Sequence, residues 1–434
     1  MNVVLAKTET GRVVDSIFTA ARDRLPGRGK VAEIRRQVFE AFERAGLPHR
    51  RIEEWKYTDL RVLMRELRPL AASPDASALK RAKAALELVA IDGAAKLVLV
   101  DGAFVPELSD APPPGAAVRS LREALEKGDG DLLGAGVKDA MVSLNAALAT
   151  DGVALSISDG AALAKPVQII HVATASSASA FTRSQVRIGN GARVTLVENF
   201  VAAEGTKTYQ AHDALLLFIG DGAEFTQMRL MADGTDAANI TSAISMVGAS
   251  AKFNLFNLTA GGAVSRYQGF VTFGGEGSEL NVNGVNLLKG TQHGDTTLVV
   301  DHAAPHCTSR EQFRAVVDGR AHSVFQGRII VRAGAQKTDG KMMTRALLLS
   351  DEAEADNKPE LEIFADDVTC GHGATAGALD ESLLFYLRAR GLSEKEAQAL
   401  LIQAFVGEAI EGIADDDLRE AVMAAAERWL EARA

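Results

Sequence analysis

The chain has 434 residues and a formal net charge of −10, with Lys and Arg dispersed along it. That balance argues against nucleic acid or an anionic membrane surface as its main partner. Two cysteines exclude a disulfide framework, no apolar run approaches the roughly 20 residues of a membrane span, and residues 1–9 show no secretory signal, so a soluble cytoplasmic protein is expected.

Up to about residue 70 the pattern is helical, with Val31, Ile34, Val38 and Phe42 at three- and four-residue spacing. Leu47-Pro48 ends that helix, because proline disfavours α conformation in the residue before it. Glu54-Trp55-Lys56-Tyr57-Thr58-Asp59-Leu60 follows and holds one of two tryptophans. Residues 71–95 read as an Ala-rich, charged linker and helix. Strand-like alternation begins near Lys96-Leu97-Val98-Leu99-Val100, and Pro112-Pro113-Pro114 marks a loop.

The middle of the chain repeats itself. Ile157-Ser158-Asp159-Gly160-Ala161 is echoed by Ile188-Gly189-Asn190-Gly191-Ala192 and Ile219-Gly220-Asp221-Gly222-Ala223, at 31-residue steps. Val247-Gly248-Ala249-Ser250-Ala251 and Gly277-Ser278-Glu279-Leu280 are looser copies at slightly shorter steps. Each copy sets a turn between two short runs of alternating apolar residues. A recurring unit of this length signals stacked architecture, and the Thr, Val, Ile and Gly content with period-2 alternation rules out helical units. A parallel β-helix with one or two coils per unit leads. An antiparallel β-sandwich is second, since Asn-Gly and Asp-Gly also make hairpin turns, but the low aromatic content leans toward the solenoid.

From Leu379 the pattern returns to helix. Leu383, Leu384 and Leu387 begin it, and Gly391 is a C-terminal stop. Ser393-Glu394-Lys395-Glu396 reads as a capping box. Ala397, Leu400, Leu401, Ala404 and Phe405 then form an apolar stripe. A last helix spans about 416–433, with Leu418, Val422, Ala425 and Trp429.

The chemically informative residues are late in the chain. In a strand, Cys370 and His372 point to one face with only Gly371 between them. Thiolate and imidazole suit borderline and soft metals, iron–sulfur chemistry included. Two ligands cannot close a four-coordinate site, so the remainder must come from elsewhere. Gly371 and Gly373 are read as stripping steric cover from the pair. His302, His306 and Cys307 form a His, Asp and Cys cluster of metal-ligating type, but they match no zinc spacing, so the reading as turn-filling residues bonded to backbone or carboxylates stands ahead of a metal site. No phosphate-binding loop, nucleophile elbow or cysteine-hydrolase signature occurs.

Several segments together resemble the SufD family, scaffold subunits of the SUF iron–sulfur cluster assembly machinery. They are Glu54-Trp55-Lys56-Tyr57-Thr58-Asp59-Leu60, His306-Cys307-Thr308-Ser309-Arg310, residues 324–331, Gln336-Lys337-Thr338-Asp339-Gly340, Leu347-Leu348-Leu349-Ser350, residues 358–375 and residues 385–392. The resemblance implies a mainly β protein, a right-handed parallel β-helix flanked by helical regions. The expected partition is 1–95 helical, 96–378 β-helix core and 379–434 helical. It further implies a non-catalytic scaffold that pairs with a SufB-like subunit and docks a SufC-like ATPase through its C-terminal helices. His372 matches the family histidine that faces a SufB cysteine where a nascent cluster forms, and Cys370 also matches the motif. Reduced flavin is a family-level electron source for which the sequence shows no site. A chain lacking its partner could pair with itself through the same edge. Two alternatives stand beside this reading. One is the sister scaffold SufB, for which Cys307 and Cys370 are few thiols. The other is a β-helix polysaccharide enzyme, disfavoured by the missing signal and few aromatics.

Overall fold

The computed structural model describes residues 9–432 apart from 65, 135 and 414. Arg433, expected at the end of the last helix, and residues 1–8, part of the segment read for a signal, lie outside the described residues.

Four helices come first: α1 (Glu9–Ala21), α2 (Lys30–Ala45), α3 (Leu60–Leu63) and α4 (Ala76–Leu86). After β1 (Ala95–Val100), β2 (Ala103–Phe104) and β3 (Ala116–Ser120), the chain forms α5 (Leu121–Glu126) and α6 (Ala140–Leu148). Then strands succeed one another: β4 (Val153–Ile157), β5 (Val167–Ala173), β6 (Ser179–Ile188), β7 (Arg193–Ala202), β8 (Gln210–Ile219) and β9 (Glu224–Ala232). They continue as β10 (Ala238–Val247), β11 (Lys252–Thr259), β12 (Val264–Phe273), β13 (Glu279–Leu288) and β14 (His293–His302). The last are β15 (Thr308–Val317), β16 (His322–Val331), β17 (Asp339–Leu348), β18 (Glu354–Ile363) and β19 (Thr369–Gly377). Helices α7 (Glu381–Ala389), α8 (Glu394–Ile410) and α9 (Asp416–Glu431) close the chain.

From β4 onward, even-numbered strands stack in one sheet and odd-numbered strands in the other, all parallel and in register. This is the parallel β-helix, and its 31-residue unit is one two-stranded coil. The repeat has a physical cause at the corner between strands. Asp159 Oδ1 accepts from Asn190 N (2.8 Å), Asn190 Oδ1 from Asp221 N (2.9 Å), and Asp221 Oδ1 from Ala249 N (2.7 Å). Each side chain thus holds the backbone of the next coil. Gly191 and Gly222 both have φ 64°, the left-handed region that a side chain disfavours. Gly189 has a different reason: a Cβ there would come within 2.5 Å of Asp159 N in the coil beneath.

Inside the coils, Leu97, Leu155, Leu196, Leu217, Phe225, Phe253, Val282, Phe313 and Met342 form one continuous buried core. Helices cover parts of the outer faces. On the even-strand sheet, α1, α2 and α6 pack over Phe181, Ile240 and Val264. On the odd-strand sheet, α8 and α9 pack over Val197, Met228, Phe256, Val285 and Val316. No helix among the described residues is long and apolar enough to cross a membrane.

Two details depart from the helical stripes read in the sequence. In α2 the residues fully buried are Val31, Arg35, Phe39 and Phe42. Arg35 turns inward because it donates to Pro26 O, Ala146 O, Ala147 O and Ala149 O, filling carbonyls left free at the end of α6. In α8 the buried face is Ala397, Ile402, Val406, Ala409 and Ile410. Of the expected stripe of Ala397, Leu400, Leu401, Ala404 and Phe405, Ala397 is buried and Phe405 packs beside that face, whereas Leu400 is 46% exposed.

Candidate functional site

The two ends of the β-helix are finished differently. At the first coil, β3 runs antiparallel on β4, and β5 is flanked by β1, itself paired antiparallel with β2. At the last coil, β18 and β19 end their sheets with no neighbour among the described residues. Free strand edges expose unpaired N–H and C=O groups and invite a further strand. Pro359 lies within β18, as a proline in a sheet requires of an edge.

Cys370 and His372 lie on β19. The register sets Cys370 opposite Gly340 and His372 opposite Met342. Met342 is in the β-helix core, so both side chains are on the inward face of the last coil. Cys370 is half-buried and packs on that core, whereas His372 is exposed. The structure therefore brings the pair together on one face, as the spacing requires.

Their exposure has a different cause from the one read in sequence. Gly371 and Gly373 lie on the opposite face of the strand and give the pair no opening. A Cβ at Gly371 would meet nothing within 4 Å, and one at Gly373 would meet the flexible end of Met343 at 2.6 Å. What uncovers His372 is that no coil stacks beyond it among the described residues.

Burial pushes the Cys370 thiol above its ordinary value, and the negative charges of Asp339 and Glu311 push the same way. The Gly340 backbone opposes this, less strongly than burial but more than either charge alone. A thiol held protonated is a poor nucleophile until a metal or a cation displaces the proton.

The late cluster of His302, His306 and Cys307 does not converge on one point: two are packed into the fold and one sits in a turn. His302 is fully buried, with Nε2 3.0 Å from Ser309 Oγ and its ring on Phe273. Cys307 is fully buried and directs Sγ at Gly275 O, 3.4 Å away. His306 is exposed at a turn with φ 58°.

The segment beginning at Glu54 is a latch across the outside of the even-strand sheet. Trp55 is buried, its Nε1 donates to Asp139 (3.1 Å), and Arg266 lies 3.8 Å over its ring. Thr58 Oγ1 is 2.9 Å from His293 Nε2 and also donates to Asp295, which pairs with Arg266. Beside it, Glu53 pairs with Lys358, whose Nζ is also 3.3 Å from Glu360. The latch thus reaches β18 and steadies the coil that carries the open end.

Glu311 was not singled out from sequence. It is fully buried in the core two strands below His372, and neither carboxyl oxygen has a hydrogen-bond partner among the described residues. Burial pushes its carboxyl up to about 8, against smaller pulls from Ser309 and Arg310. The parity that sends Phe313 inward also sends Glu311 inward. That signal is legible in the sequence, but the run Thr308-Ser309-Arg310-Glu311-Gln312 is polar throughout and hides it.

Next to this end lies an uncovered apolar surface. Helix α7 buries none of its residues, and Leu383, Phe385 and Tyr386 are 51%, 75% and 54% exposed. Leu383, Leu401 and Phe405 line a groove of about 250 Å³ that also includes Thr375 and Gly377 of β19.

Residues 171–405 match the family described as SUF system FeS cluster assembly, SufBD core domain. The chain belongs to the SufBD family. Residues 28–169 match the SufBD protein N-terminal region, so the helical part of this SufBD chain is recognised as well. The iron–sulfur cluster assembly protein SufD of Escherichia coli (strain K12) is 30% identical over 392 residues, 89% of this chain and 90% of that one. An iron–sulfur cluster assembly SufBD family protein of Synechocystis is 29% identical, covering 85% of this chain and 84% of its own. SufD of Bacillus subtilis (strain 168) is 25% identical over 302 residues, 66% of each chain. The resemblance drawn from segments between residues 54 and 392 is therefore borne out at the level of the family.

Proposed function

We propose that this chain is a non-catalytic, SufD-type scaffold of iron–sulfur cluster assembly in the cytoplasm. In this reading it presents His372 to a nascent cluster shared with a SufB-like partner. The observation that carries it is an exposed imidazole on the inward face of an unfinished coil, between two free sheet edges. An edge-to-edge pairing at β18 and β19 would continue both sheets and bring the partner's ligands over His372. Cys370 is the weaker ligand, since its thiol is half-buried and held protonated. The cluster is cargo on this view, and its remaining ligands belong to the partner.

The groove between α7 and α8 is the proposed seat of a SufC-like ATPase. Strand β19 ends at Gly377 and α7 begins at Glu381, so a pull on the helices reaches the strand bearing His372 through a very short connection. Nucleotide-driven movement of the ATPase would bias the interface between closed and open states.

The test is coexpression with a SufB-like and a SufC-like subunit. His372→Ala is expected to leave the three-subunit complex intact and to lower the iron and labile sulfide recovered on it at least tenfold. Full cluster content in that variant removes His372 from the site. Recovery of this chain only as a homodimer, with both partners present, overturns the pairing.

A further inference from the structure

A second group of ligating side chains lies far from the open end, inside the early coils. His171 comes from β5 and Glu198 from β7 in one sheet, and Asp213 comes from β8 in the other. One ligand atom from each lies within 4.8 Å of the others. All three face the interior, at 9%, 3% and 5% exposure, level with core residues such as Leu97, Leu196 and Leu215.

Each member is held from behind. Gln227 Nε2 donates to Glu198 Oε2 (2.6 Å), and Thr182 Oγ1 donates to Asp213 Oδ1 (2.6 Å), which engages one oxygen of each carboxylate. The His171 ring stacks on Phe200 with centroids 4.3 Å apart, and its Nδ1 is 3.4 Å from Thr182 Oγ1. Its Nε2 is buried and has no hydrogen-bond partner among the described residues. Arg229 and Arg183 are the nearby cations, but Arg229 donates to Asn257 (3.1 Å) and Asn239 (2.8 Å), and Arg183 donates to Leu132 O, Asn145 and Gly134 O, not to the carboxylates. Neither carboxylate takes part in an ion pair among the described residues.

Two carboxylates and an imidazole are costly in such a place unless something charged joins them. Burial raises the carboxyls of Glu198 and Asp213, Glu198 pushing Asp213 further, and it drops His171 to about 3. Apolar side chains of similar volume would fill this layer at less cost. A bound cation reverses the balance, because it favours ionised carboxylates and neutral imidazole together.

We propose that His171, Glu198 and Asp213 form a binding site for a divalent first-row transition cation inside the β-helix. One nitrogen and two carboxylates suit zinc, manganese or ferrous iron better than magnesium or calcium, which favour all-oxygen sets. Thr182 and Gln227 orient the ligands from behind, as supporting residues do at metal sites. His171 and Thr182 also line a cavity of about 30 Å³ that runs past Tyr209 and Gln210 to Ala71, Ala175 and Ala178. A space of that size holds water, which completes the coordination and marks a way in. The cation ties the two sheets together, since Asp213 belongs to one and the other ligands to the second.

The probe is Co(II), added anaerobically to the chelator-stripped full chain carrying Cys370→Ser and His372→Ala, so that the open end contributes no ligands. One equivalent should bind with a visible d–d absorption band and raise the melting temperature. Glu198→Gln and Asp213→Asn should each weaken binding at least 100-fold. Thr182→Val, close in shape to the original, should weaken it about 10- to 100-fold. Circular dichroism of each variant confirms folding before titration. Absence of a Co(II)-dependent band or melting shift in the starting protein overturns the proposal whatever the variants do. Undiminished binding in folded Glu198→Gln and Asp213→Asn overturns it as well.

Discussion

His372 is the ladder partner of Met342, and among the described residues no strand pairs with it on the other side. The column beneath runs Leu196, Gln227, Leu255, Val282, Glu311, Met342, each facing the interior. At its last position the column carries an imidazole in the open instead of an apolar side chain. A further coil stacked there would bury that imidazole, and its exposure is what the proposed shared site rests on.

The thiol beside it should be slow. With burial, Asp339 and Glu311 all raising its pKa, Cys370 is mostly protonated at neutral pH and gains reactivity only as pH rises above the ordinary thiol value of about 8.5. Iodoacetamide labelling of the isolated chain, followed by mass spectrometry, should accelerate steeply in alkali and vanish in Cys370→Ser, because Cys307 is fully buried. Rapid labelling at pH 7 would contradict the assigned environment.

The exposed face of α7 should matter for partners and not for folding. Phe385 is 75% exposed, so Phe385→Glu should change stability by less than about 0.5 kcal/mol. The same change should abolish copurification of the SufC-like ATPase. Retained binding in a pull-down would move the docking surface elsewhere.

Glu311 should make stability fall as pH rises. Its folded value of about 8 lies above the ordinary carboxyl value near 4.5, so the folded state binds the proton more tightly than the unfolded state. That contribution is complete below the unfolded value and is lost as pH rises toward about 8. The slope is at most about 1.4 kcal/mol per pH unit. Glu311→Gln cannot ionise and should gain stability relative to the parent between pH 5 and pH 8 in urea titrations. A difference that stays constant with pH would show that Glu311 is not buried as described.

Arg35 should be among the costly surface-sequence positions. Its guanidinium serves four carbonyls, three of them at the end of α6, and Arg35→Met would leave them buried without donors. A loss of at least about 3 kcal/mol is expected from unpaired buried groups. Chemical denaturation with unchanged far-ultraviolet circular dichroism in the native state checks it, and a loss under 1 kcal/mol would refute the assignment.

Much of this architecture was legible in one dimension because it is periodic. The Ile-Gly-Asp/Asn-Gly units name the corner, and stacking turns the repeat into a ladder in which Asp159, Asn190 and Asp221 each hold the coil after it. The capping box at Ser393 and Glu396 was equally local, and both of its hydrogen bonds form. Cys370 and His372 share a face because strand parity leaves no choice.

Other features depend on which surfaces meet. Periodicity in α8 marks an apolar stripe without saying which of two faces the sheet will take. The stripe read from sequence straddles the two, with Ala397 buried, Phe405 packed beside it and Leu400 exposed next to α7, a separate element. Arg35 reads as a surface charge until α6 brings its carbonyls to it. His171, Glu198 and Asp213 are 42 residues apart from first to last and come from two sheets, so only coiling assembles them. The sequence by itself determined the coil, its corners and the pairing of thiol with imidazole, because these follow from local turn chemistry and parity. Tertiary structure alone decided that the last coil is open, because an unpaired edge is defined by the strand that is missing beside it.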